Sequence, residues 1–234
     1  MDWPSTAAEL IELQIELANS VPPPWQLSQD EISVGGCFVC FPRGEADSGP
    51  GERGDPGWAG AALIGMNGVI SMAMVTGAAG APYEAGLLAL REGPLLEHAL
   101  RSLSRLPEIL LVNATGRDHP RSAGLALHLG AILEVPTVGV THRPLVASGE
   151  WPEFVRGATE PLLLGGRLVG YLLCTRRGCR PLAVHAAWRT DPETAVKAVL
   201  ATCTHARTPE PIRLARQAAR TARSSAPQPS PRFE

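Results

Sequence analysis

The stretch from Pro107 to Leu145, PEILLVNATGRDHPRSAGLALHLGAILEVPTVGVTHRPL, restricts the fold more than any other feature of the chain. Two short apolar runs, Ile109–Asn113 and Thr137–Val140, bracket a segment with helical spacing at Pro120–Leu133, and Pro120 suits a first helical turn. A strand–helix–strand unit of this kind requires an α/β core. The first strand ends at Asn113, where an α/β enzyme usually carries a catalytic carboxylate. The nearest acid is Asp118, five positions on.

The remaining elements follow from local signals. Ser5–Val21 places Leu10, Ile11, Leu13, Ile15 and Leu17 along one broad face, with Thr6 and Glu9 as a capping box, and Pro22–Pro24 ends that helix. Ile32–Phe41 reads as a core strand, and the polar, Gly- and Pro-rich Pro42–Gly57 as a mobile hairpin loop. Asn67-Gly68 marks a hairpin between two further strands. Gly86–Leu106 is a helix with an irregularity at Gly93-Pro94. A second hairpin turns at Gly165-Gly166, RPLAVHAAW is a strand, and Asp191 caps a last predicted helix. Residues 1–222 are expected to form one domain and 223–234 a disordered tail. No internal repeat is evident.

Composition narrows the function classes. A net charge of −2 offers no global attraction to nucleic acid, and Lys197 is the only lysine. No apolar run is long enough to span a membrane, and MDWPSTAAEL has no signal-peptide pattern, so a soluble cytoplasmic protein is expected. The five cysteines suit a reducing compartment. Cys37 and Cys40 form a CxxC on a strand, where they point to opposite faces, so they read as buried hydrophobes rather than zinc ligands.

Three segments carry a resemblance: APYEAGLLALREGPLL, HPRSAGLALHLGAILEVPTVGVTHRPL and RTPEPIRLA. They resemble signature blocks of the endonuclease V family, in family order, across roughly Glu12 to Arg216. The resemblance implies a ribonuclease H-like α/β fold, a mixed sheet of antiparallel hairpin strands and a parallel βαβ unit flanked by helices. It also implies metal-dependent cleavage of DNA or RNA one nucleotide past a deaminated purine, usually inosine. Set against the family pattern, this chain departs at most catalytic positions. The first-strand aspartate falls at Cys37, the turn aspartate at Asn113, a late histidine at Trp188 and a lysine at His142, while the helix glutamate is kept as Glu92. Magnesium prefers carboxylate oxygens in octahedral array, so no metal is expected between Cys37, Glu92 and Asn113, and no cofactor. Ala114 replaces a glycine that lies against the flipped base, and Glu84 follows Tyr83 in the strand-separating wedge, which disfavours DNA repair.

What remains around the site suggests an anion. Asn113, Thr115, Arg117, Arg121, His142, Arg143, Arg189, Trp188 and Tyr83 are the candidate substrate-binding residues, with the N-terminus of helix Pro120–Leu133 aimed at the pocket. Glu92, Asp118 and His119 are the candidate acid–base groups. His128 and His98 read as packing or surface residues, and Trp188 as packing or an aromatic wall. The expectation is a metal-independent enzyme or enzyme subunit for a small anionic substrate, free or carrier-bound, in specialised metabolism. Aziridine closure with loss of sulfate, as in azinomycin-type pathways linked to divergent relatives of this family, is one example. A related partner chain, hetero- or homodimeric, would complete the site; nucleic acid and membrane are not expected partners. The alternatives are a nucleic-acid-binding pseudo-nuclease and a residual deoxyinosine endonuclease.

Overall fold

A computed structural model describes residues 2–26, 32–42 and 51–226. Helix α1 (Ala7–Asn19) opens with the expected capping box, in which Thr6 accepts from the Glu9 amide and Glu9 answers the Thr6 amide. There follow β1 (Val34–Cys40), β2 (Pro56–Gly65), β3 (Gly68–Ala78), α2 (Leu88–Arg101), β4 (Ile109–Val112), α3 (Leu125–Leu133) and β5 (Thr137–Thr141). The hairpin β6 (Thr159–Leu164) and β7 (Arg167–Leu173), then β8 (Leu182–Ala186), α4 (Pro192–Thr202) and α5 (Glu210–Ser225), complete the chain. Half of the loop expected at Pro42–Gly57, residues 43–50, and residues 227–234 of the expected tail lie outside the described residues. Helix α5 runs through 223–225, the first positions of that tail.

The eight strands form one mixed sheet in the order β3-β2-β1-β4-β5-β8-β7-β6. The central β1, β4 and β5 run parallel, and every other pair is antiparallel. This is the ribonuclease H-like arrangement implied by the resemblance. Strand alternation divides the core in two. Leu110 and Val112 of β4 pack with α1, α2 and α3, while Ile109 and Leu111 pack with α4 and α5. Helix α5 lies hard against β1 and β2 because Gly36 and Gly60 have no side chain; a Cβ at either would strike the α5 backbone. Both tip glycines of the β6–β7 hairpin take positive φ, 58° and 78°, as a tight turn requires.

One element starts later than its pattern predicts. Helix α3 begins at Leu125, with Gly124 at its N-cap, rather than at Pro120. The Arg121 amide donates to His119 Nδ1, Ser122 takes a φ of 53°, and the chain makes a turn before it winds. Two amides at the helix start are then already engaged: that of the N-cap Gly124 bonds Gly116 O and that of Ala126 bonds Thr115 O. The expected anion-binding helix terminus is thereby corrected. At Gly93-Pro94, α2 continues through the proline, and the bare glycine accommodates the ring of Trp3, which stacks on His128 at 4.6 Å. His128 is thus a packing residue, its imidazole pushed down to about 4 by burial.

Candidate functional site

Ligands of open α/β sheets bind beyond the carboxyl ends of the central parallel strands. Here the β1–β4 register pairs Cys37 with Val112, so Asn113 lies one residue beyond Cys37 on the neighbouring strand. Glu92 of α2 approaches from one face, close enough for its charge to act on the Cys37 thiol. Cys37, Glu92 and Asn113 are therefore assembled at one place.

Their chemistry does not suit a divalent metal. Cys37 is 0 % exposed, and burial, then the nearby Glu92, drives its thiol far up, so it stays protonated. Burial pushes the Glu92 carboxyl up to about 8, against a weaker opposing pull from Arg91. Arg91 itself is committed elsewhere: it pairs with Asp55 at 2.9 Å, donates to Glu52 O and Ala81 O, and lies 4.1 Å over the Phe41 ring. A protonated thiol, a carboxyl that holds its proton at neutral pH and an amide are poor ligands for a hard cation. Among the described residues no three His, Cys, Asp or Glu side chains are grouped as a metal site.

The loop after β4 has the opposite character. The Asp118 carboxylate, 0 % exposed, accepts three amides of the segment after β5: Leu145 at 2.6 Å, Val146 at 2.8 Å and Ala147 at 2.7 Å. His185 Nδ1 lies 3.6 Å away, and burial holds that imidazole down at about 4. His119 is buried too, contacts Gly86 O through Nε2 at 3.2 Å, and is pushed down to about 4, first by burial and then by Arg121. These placements support latch roles for Asp118 and His119, because their polar atoms already have partners.

Of the four arginines expected to hold an anion, three are spent on carbonyl oxygens. Arg117 donates to Ala18 O and Ser20 O at the C-terminus of α1, where a cation complements the helix dipole. Arg121 binds Gln14 and Gly86 O, and Arg189 reaches Pro23 O. Thr115 is held beneath Gly124. Arg143 is exposed, its carbonyl accepting from the Thr141 hydroxyl. His142 and Trp188 do not share a pocket. His142 follows the C-terminus of β5, whereas Trp188 packs on Gly130 and Thr137 at the other end, about 16 Å of strand away. Trp188 is packing, and its Nε1 is buried without a partner.

Two expectations about base recognition look different in three dimensions. Ala114 is 4 % exposed and belongs to the first core cluster, so its methyl is taken up by the interior rather than projecting into a groove. Tyr83 is 53 % exposed and free to stack. Sequence reasoning missed Gln14 and Arg91; it singles out Arg216 and Arg220, with Arg207, Arg213 and Arg223, as the one basic cluster, but not their packing on Phe38. Only Arg91, adjacent to Glu92, had a local signal.

Comparison with known proteins matches the endonuclease V family model to residues 51–217. The endonuclease V of Methanopyrus kandleri is 39 % identical over 212 residues, covering 90 % of this chain and 86 % of that protein. The crystal structure of endonuclease V from Streptomyces avermitilis superposes with a TM-score of 0.79 at 33 % identity, covering 95 % of each chain. The Ciona intestinalis endonuclease V, at 20 % identity, has the same fold with a TM-score of 0.74, covering 93 % of this chain and 97 % of that one. That protein was solved with a 24mer DNA containing an inosine followed by a ribo-adenosine. The expected partners, a small anionic substrate and a completing chain with nucleic acid excluded, are corrected accordingly. A structure of this fold carries DNA, and three of the four guanidinium groups meant for the small anion, those of Arg117, Arg121 and Arg189, are engaged in holding the fold.

Proposed function

The chain belongs to the endonuclease V family, and from that premise we propose that it binds nucleic acid in the family's groove without metal-dependent cleavage. The observation that carries this reading is the donor set at the strand ends: a buried neutral thiol, a glutamate pushed up to about 8 and an amide. With those groups the site presents little negative charge to a cation at neutral pH. The nucleic-acid half of the reading is supported by the inosine-bearing DNA on the Ciona protein, by the exposed Tyr83 and by the inward methyl of Ala114. The test is a labelled deoxyinosine oligonucleotide, single- and double-stranded, with magnesium or manganese. A mobility shift with the strand intact is expected; a cut one nucleotide past the inosine would overturn the non-cleaving half.

A second reading, a working deoxyinosine endonuclease, draws on the 39 % identity over 212 residues to the Methanopyrus kandleri protein. It requires Glu92 to ionise and a metal to be held with only one protein carboxylate nearby. The same assay separates the two.

A further inference from the structure

On the α5 side of the sheet, next to the strand ends, stand two arginines without an acidic partner, beside Arg207, which donates to Arg180 O and Pro181 O. Arg216 and Arg220, one turn apart on α5, both lie over the ring of Phe38 in β1, at 5.1 Å and 5.7 Å from its centre. Arg216 is pushed down by burial and then by Arg220. The Arg216 Nε is buried and has no hydrogen-bond partner. His142, beyond the end of β5, joins the group; burial, Arg207 and then Arg216 all push its imidazole down, and Arg207 Nη1 lies 3.1 Å from its Nδ1. Among the described residues neither Arg216 nor Arg220 has an acidic partner, whereas Arg213, on the same helix, has Glu210. Arg223, one turn further, donates to Phe41 O.

Repulsion of this kind costs stability unless an anion relieves it. A partly exposed ring beside two guanidinium groups suits a strand of nucleic acid, whose phosphates take the charges while a base packs on the part of the ring left open. A free phosphate would use the arginines but leave Phe38 without a role. We infer that Arg216, Arg220 and Phe38, flanked by His142 and Arg207, form a track for a single nucleic-acid strand. This rests on the nucleic-acid-binding reading and gives it a location that the sequence motifs do not mark. Net charge conceals the track, because the −2 of the whole chain averages over it.

The test is fluorescence anisotropy of a labelled single-stranded oligonucleotide, titrated at several salt concentrations. The proteins are the wild-type chain, Arg216→Gln/Arg220→Gln, Arg220→Gln, Phe38→Leu and, as a control of equal charge to Arg220→Gln on the opposite face, Arg101→Gln. The double variant should bind about ten-fold or more weakly, with a salt slope shallower by about 1.4, for two single-strand phosphate contacts. Phe38→Leu should weaken binding roughly ten-fold with the slope kept, and Arg101→Gln should leave binding near wild type. If the double variant melts early, Arg220→Gln alone, at an exposed position, should still flatten the slope by about 0.7. Wild-type binding with an unchanged slope in Arg220→Gln and in the folded double variant would overturn the track while leaving nucleic-acid binding intact. No binding by the wild type at any salt would overturn the reading beneath it as well. Competition by inorganic phosphate at millimolar concentration, with no preference for the oligonucleotide, would reduce the track to a simple anion site and contradict it.

Discussion

Two neighbouring regions treat their polar groups in opposite ways. In the loop after β4, the charged side chains Arg117, Asp118 and Arg121 are matched to carbonyls, amides or a side-chain amide drawn from α1, the Gly86 turn and the segment after β5. At the neighbouring strand ends, Glu92 of α2 has no hydrogen-bond or ion-pair partner among the described residues, and the thiol and amide beside it supply no charge. The first region is a finished piece of architecture. The second keeps the positions of a reactive centre without the ionisation that would make it reactive. The family's frame is thus separable from the family's chemistry, because the hydrogen bonds that shape the frame do not pass through the strand-end trio.

The comparison breaks if the loop proves dispensable. Asp118→Asn replaces two acceptor oxygens by one and directs an NH2 at backbone amides. It should destabilise the fold by about 3 kcal/mol or more, read as a shift in the urea midpoint. A loss below about 1 kcal/mol would mean that the latch does not hold.

Glu92→Gln should do the reverse, and only at raised pH. The folded carboxyl titrates near 8 and the unfolded one near 4.5. Below about 4.5 both states keep the proton and the substitution changes little by this route. As pH rises toward 8 the unfolded state releases its proton first, so the wild type loses stability that the variant retains. The gain should reach about 2 kcal/mol by pH 8, since partial exposure lets water soften the penalty, and level off above it. A flat pH profile would place Glu92 with the satisfied groups and erase the contrast.

Arg117→Ala sharpens the comparison at smaller scale. It removes two bonds to the C-terminus of α1 and should cost about 1–2 kcal/mol, with amide exchange rising first in that helix. Arg143→Ala, at an exposed position, should change stability by no more than about 0.5 kcal/mol.

Much of the fold was legible because its signals are local. Thr6 with Glu9, Asn67-Gly68, Gly165-Gly166 and the continuous apolar run Ile109–Val112 each act within a few residues. The late start of α3 was not, because its cause includes a carboxylate bonded to amides 27 to 29 residues away. Arg117 and Arg121 looked like anion ligands for the same reason: their partners in α1 lie 97 to 107 residues back in the chain. The separation of His142 from Trp188 follows from β8 running antiparallel to β5, an order that no local pattern announces. The trio itself was found by resemblance, whereas the Phe38 track came only from packing α5 on β1.

The central claim is that the frame of the family persists around a centre that does not hold a divalent ion. Calorimetric titration of manganese into the purified chain at pH 7, beside Glu92→Ala, tests it most directly. The account predicts no heat that depends on Glu92. Micromolar binding in the wild type, abolished in Glu92→Ala, would contradict it.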